Sequence, residues 1–111
     1  MIDIKKALHS TDLIVVDARI TLLTTEAGGR KGQIFSGYRP NHRFNVNSSI
    51  SSFFIGEVQF SHKIQIYPGE TELVSVIFLR AGGIEKYLIP GEHWLIQEGS
   101  RLVGSGEILK F

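Results

Sequence analysis

Cysteine is absent from these 111 residues. That removes disulfides and thiolate zinc sites and makes a reducing compartment the natural setting. Long apolar runs are lacking too, since no window approaches the roughly 20 residues of a membrane-spanning helix. The opening Met1-Ile2-Asp3-Ile4-Lys5-Lys6-Ala7-Leu8 has no apolar stretch of the kind a signal peptide carries. Excess charge of one sign is also missing: 12 Lys and Arg face 11 Asp and Glu. With no global positive field, any grip on nucleic acid must come from local clustering. What is present, 42% apolar and 21% charged residues, is ordinary for a folded protein and argues against disorder. The length allows one domain with one core. The expectation is a single cytoplasmic domain that does not enter a membrane.

The usual chemistry-bearing motifs are missing as well. A phosphate-gripping loop needs Gly-x-x-x-x-Gly-Lys-Ser/Thr between a strand and a helix. Gly28-Gly29-Arg30-Lys31-Gly32 has neither the hydroxyl residue nor a helix after it. Gly104-Ser105-Gly106 lacks the third glycine of a dinucleotide fingerprint and lies in a strand pattern, where glycines usually mark a bend or bulge. His9, His42, His62 and His93 fall on four different elements without metal-pair spacing, so they read as surface or rim histidines. No strand-to-helix elbow presents a serine nucleophile. The reading is of a non-enzyme with no metal and no cofactor.

Ile4, Ala7 and Leu8 have helical spacing, so residues 2–9 are expected to form a short amphipathic helical or irregular segment. From Leu13 the period becomes two: Val16, Ala18, Ile20 and Leu22 face one way, Asp17, Arg19 and Thr21 the other. Further strand patterns run over Gln33–Phe35, Arg39–Val46, Ser52–Phe60, His62–Tyr67, Glu72–Arg80, Trp94–Gln97 and Arg101–Leu109. Turn chemistry separates them at Gly28-Gly29, Gly37, Asn47-Ser48-Ser49, Pro68-Gly69, Gly82-Gly83, Pro90-Gly91 and Gly99-Ser100. Short strands at this spacing without intervening helices predict an all-β antiparallel sandwich or barrel. The chain divides into an N-terminal extension, residues 1–12, and one β domain, 13–111.

Six cations, Arg30, Lys31, Arg39, Arg43, Arg80 and Arg101, sit in turns or at strand ends. The Gly-Gly turn is expected to let Arg30 and Lys31 stand off the rim, and Pro40 to aim Arg39 by holding it extended. Arginine contacts phosphate bidentately and stacks on bases, so such a rim can hold an RNA backbone. Charged turns also simply keep a barrel soluble and blunt its edges. Composition alone favours that second reading.

Four blocks in order tip the balance: Ala18 to Gly32, Phe35-Ser36-Gly37-Tyr38-Arg39-Pro40, Pro68-Gly69-Glu70, and Gln97-Glu98-Gly99-Ser100-Arg101-Leu102-Val103-Gly104-Ser105-Gly106. Over residues 17–111 this pattern resembles the C-terminal β-barrel domain of elongation factor Tu, the GTPase that carries aminoacyl-tRNA to the ribosome. The resemblance implies a six-stranded antiparallel β-barrel that holds the tRNA backbone. It places RNA contacts at Arg30 and Lys31, at Asn41 where the family has a glutamine, at Arg80, and at Glu98 and Gly99. Arg39 joins them from the Tyr-Arg-Pro corner. Contacts of this kind position RNA and do not read its sequence. His42-Arg43-Phe44-Asn45-Val46-Asn47-Ser48-Ser49-Ile50 departs from the family pattern, and the connection Ala81–Gly91 is several residues longer. Neither the GTPase domain nor the middle barrel of that factor is represented, so GTP hydrolysis is not expected.

Two functions follow. One is a translation-related module that binds tRNA or another structured RNA. The other is a protein-interaction module that docks to, or mimics, a partner surface of the elongation factor. A barrel without its neighbours must cover the surface they would bury, by polar substitution, by self-association into a homo-oligomer, or by a partner. Phe53, Phe54, Trp94 and the N-terminal extension are the candidates for that covering.

Overall fold

The computed structural model describes residues 12–45 and 50–111. The segment expected to be helical, residues 2–9, and Val46 with the Asn47-Ser48-Ser49 turn lie outside them. Strict alternation makes Leu13–Leu22 (β1) a strand with one wet and one dry face: Ile14, Val16, Ala18, Ile20 and Leu22 are all buried. It pairs along one edge with Thr71–Leu79 (β6) and along the other with Arg101–Lys110 (β8). Asn41–Phe44 (β3), Ser52–Gln59 (β4) and His93–Glu98 (β7) complete a closed antiparallel barrel in the order β1, β6, β4, β3, β7, β8. Closure leaves none of the six strands as a free edge. Ile34–Phe35 (β2) and Gln65–Ile66 (β5) form a separate two-stranded ribbon. The six-stranded barrel expected from the resemblance is therefore present.

Strand directions sort the connections. β1, β4 and β7 finish at the same end at which β3, β6 and β8 begin. This loop end carries residues 23–40, residues 60–70 and the Gly99-Ser100 turn. Ile34 and Ile66, buried and part of the core cluster, reach in from its ribbon. The far end carries the long connection after β6. Sequence reading left that connection without an element, yet Ile84–Tyr87 forms a 3-10 turn. Burial of Ile84 and Leu88 explains it, because a single turn is enough to drop two apolar side chains into the core.

Inside, aromatic rings pack as a unit. Phe44 stacks on Trp94 (centroids 5.4 Å apart, planes 18° apart) and on Tyr87 (5.5 Å, 22°). Trp94 is fully buried, so it belongs to the core and does not cover an outer face. Phe54 also packs partly buried against the core, whereas Phe53 is 56% exposed. The Gly104-Ser105-Gly106 run has a packing reason. A β-carbon at Gly106 would lie 2.4 Å from the Trp94 ring, and one at Gly104 would lie 2.6 Å from the Thr21 carbonyl oxygen. The strand stays continuous through these glycines, and the β7–β8 pairing shifts register between Ile96 and Gln97.

His42 corrects the expectation of surface or rim histidines. It is fully buried on β3, and both ring nitrogens are engaged: the Trp94 indole N–H donates to Nδ1 (2.9 Å), and Nε2 lies 3.0 Å from the Gly56 carbonyl oxygen. That geometry requires a neutral ring carrying its proton on Nε2, which donates to Gly56. Burial holds its protonation down to about 4 from the ordinary 6.5, against the opposing pull of the Gly56 carbonyl. His62 and His93 are exposed, as expected, and His9 lies outside the described residues.

Candidate functional site

After β1 the chain turns through Thr24–Gly29. The Thr24 carbonyl accepts the Ala27 and Gly29 amides at 3.1 and 3.0 Å, and Gly28 takes a φ of 96° that a side chain would resist. The loop then delivers Arg30 to the inner side of the turn. Its Nε donates to the Gly32 carbonyl (3.2 Å) and one terminal nitrogen to the Gln33 carbonyl (3.3 Å). The other terminal nitrogen pairs with the Glu98 carboxylate, and the guanidinium lies 5.0 Å over the Tyr38 ring. Arg30 is thus folded into the loop and does not stand off the rim. Lys31, next in sequence, is exposed.

Tyr38 is the hub. Its hydroxyl donates to the same Glu98 oxygen at 2.5 Å, while its backbone bridges to Val58 of β4. Burial, then the hydrogen bond to Glu98 and that carboxylate's charge, push its ionisation well above the ordinary phenol value, outweighing Arg30. Pro40 follows, and Arg39 is aimed as expected, though at the protein: its Nε donates to Glu57 at 2.7 Å. Glu57 is 4% exposed, and its second oxygen accepts from the Gln59 amide at 2.6 Å. A buried carboxylate of this kind needs such partners.

Asn41 enters β3 opposite Gln97 of β7, one residue before Glu98. Glu98 pairs with Arg101 across the tight Gly99-Ser100 turn, and Arg101 is exposed. Of the residues selected from sequence, the structure brings Arg30, Lys31, Arg39, Asn41, Glu98 and Gly99 together at the loop end. It does not bring Arg80 there. Arg80 follows β6 at the far end, where its amide donates to the Asp12 carbonyl (2.7 Å) and its guanidinium pairs with Glu85 (2.8 Å). Sequence reading missed Tyr38 and Glu57 as functional partners and did not choose Arg101 among the contacts. Tyr38 stood in the quoted Gly-Tyr-Arg-Pro block, but nothing in the sequence marked Glu57. A second charged cluster adjoins the first on residues 60–72: Lys63 pairs with Glu70 (3.2 Å) and Glu72 (3.0 Å), and His62 with Glu72 (2.9 Å).

The chain is similar to part of an elongation factor. It is 31% identical over 91 residues to elongation factor Tu 2 of Streptomyces avermitilis, covering 82% of this chain and 21% of the relative. The chain therefore spans about a fifth of the length of the curated relative it matches. No protein-family model matches it. The likeness and the closed six-stranded barrel are compatible with a domain like the C-terminal barrel of that factor. Among the described residues no helix is long and apolar enough to cross a membrane.

Proposed function

We propose that this barrel is a non-catalytic, cytoplasmic, translation-related module that grips tRNA or another structured RNA by its backbone at the loop end. The observation that carries the reading is that Arg30, Lys31, Arg39, Asn41, Glu98 and Gly99, chosen from separate stretches of sequence, lie at one end of the barrel, where Arg30 and Glu98 meet on the Tyr38 side chain. Similarity to an elongation factor supports a translation-related role. Because Arg30 and Arg39 are ion-paired within the protein, the exposed Lys31 and Arg101 are the cations that meet phosphate first. Two such contacts give weak binding with a log–log salt slope of about −2, at roughly −0.9 per duplex phosphate contact. The test is a titration of tRNA at several salt concentrations with the wild type and with Lys31→Ala/Arg101→Ala. Salt-dependent binding lost in the double variant supports the reading, and absence of binding at low salt ends it.

A second reading has its own observation. Val15, Phe53, Ile55 and Leu79 are 45–63% exposed on the outer faces of β1, β4 and β6. Leu79 is the register partner of Leu13, and Ile77 lies between Val15 and Glu57. An apolar outer face of this sort fits a protein-interaction module, whether its partner is a translation factor or a second copy of the chain. Sedimentation of the wild type beside Ile55→Lys measures self-association directly.

A further inference from the structure

At the loop end one carboxylate already occupies the Arg30 guanidinium. The Glu98 oxygen that receives the Arg30 guanidinium also receives the Tyr38 hydroxyl, and Arg30 is anchored further by its Nε on the Gly32 carbonyl and its other terminal nitrogen on the Gln33 carbonyl. A guanidinium fixed in this way keeps one site facing an anion, and the protein fills that site itself. Carboxylate and phosphodiester each carry one negative charge and accept from a guanidinium in similar geometry. Glu98 is 36% exposed at its side chain and precedes a two-residue turn, so it can swing out without disturbing the barrel. Resting on the RNA-backbone reading above, we propose that Glu98 is an internal competitor for the Arg30 guanidinium, an autoinhibitory contact that an RNA phosphate must displace.

The consequence is selectivity for a polyanion. An isolated phosphate gains nothing by exchanging with Glu98, since one anion replaces another. A nucleic-acid backbone already held at Lys31 and Arg101 presents its next phosphate at high effective concentration and so drives the exchange. Displaced Glu98 then attracts a cation from solution, which offsets the counterion that Arg30 binding releases. Arg30 is therefore nearly silent in the salt dependence of the wild type, although it lies at the centre of the site.

The isosteric Glu98→Gln variant tests this, because its amide oxygen still accepts from Arg30 and Tyr38 while the competing charge is gone. With tRNA as the probe, Glu98→Gln is expected to bind about three- to tenfold more tightly, the scale of one partly exposed charge. Its log–log salt slope should be steeper by about 0.9, one added phosphate contact. Both gains should vanish in Glu98→Gln/Arg30→Ala, while Arg30→Ala alone leaves the wild-type salt slope nearly unchanged. Circular dichroism and urea midpoints of each variant confirm that the barrel remains folded. Binding by the wild type with an unchanged or weakened Glu98→Gln overturns the competitor role and leaves the RNA reading standing. If neither protein binds tRNA at low salt, both fail together.

Discussion

Lowering the pH from 8 to 5 should cost this barrel about 2 kcal/mol through His42 alone. In the native state the ring is neutral: Nδ1 accepts from Trp94, Nε2 donates to Gly56, and the Phe78 ring packs 5.0 Å away at 75°. A second ring proton would sit on Nδ1 and face the indole donor, in a place closed to water. Burial accordingly lowers protonation from 6.5 to about 4. The unfolded chain takes up its proton at 6.5 and the native one does not, so the unfolded state gains as acidity rises. The stability is fully present above 6.5 and is lost as the pH falls toward about 4. At 1.36 kcal/mol per unit, the loss reaches about 2 kcal/mol at pH 5 and about 3 kcal/mol near pH 4. The assay is urea unfolding followed by the fluorescence of Trp94, the single tryptophan. Measurements stop at pH 5 because Glu70 and Glu72 add their own dependence below it. The Tyr67 amide and Lys63 hold Glu70 below the usual carboxylate range, and His62 and Lys63 do the same for Glu72. His42→Gln should be less stable at pH 8, and the difference from the wild type should shrink by about 2 kcal/mol by pH 5. A wild type and variant that stay parallel from pH 8 to 5 would refute the reasoning.

Gly106→Ala should destabilise by about 1–3 kcal/mol, since its methyl group would intrude on the buried Trp94 ring. Gly32→Ala, whose new methyl group meets nothing within 4 Å, should stay within about 0.5 kcal/mol of the wild type in the same urea series. Equal midpoints for the two variants would contradict the close approach. Tyr38 contributes stability that is fully present below the ordinary phenol value of 10.0 and is lost as pH rises beyond it, because the folded protein disfavours its phenolate. The difference spectrum between wild type and Tyr38→Phe at 295 nm should therefore show no phenolate at pH 11 while the protein is folded. Ionisation of Tyr38 together with the other tyrosines would contradict both its burial and its contact with Glu98.

β1 was legible almost residue by residue, because a strand with one dry face writes its period directly into the apolar pattern. β6 and β8 were legible to within a residue at each end for the same reason. The strand expected over Arg39–Val46 shortens to Asn41–Phe44. Arg39 and Pro40 form the corner, and Asn45 enters a left-handed conformation (φ 60°). His62–Tyr67 shortens to Gln65–Ile66, since Ser61–Ile64 bends to bring His62 and Lys63 to Glu72. At the site, sequence named six residues that the structure gathers at the loop end but not the pairings they make there. An ion pair such as Arg30–Glu98 joins positions 68 residues apart, and no local pattern records it. Arg80 was chosen by block alignment, and only strand direction shows that it lies at the opposite end. The buried His42 illustrates the same limit, since its acceptor and donor partners come from other strands.

Amide chemical-shift mapping with tRNA at low salt tests the central claim most directly. The account predicts perturbations centred on Lys31, Tyr38, Asn41, Gly99 and Arg101, with Val15 and Leu79 unmoved. Shifts confined to that outer apolar face, or none at any RNA concentration, would contradict it.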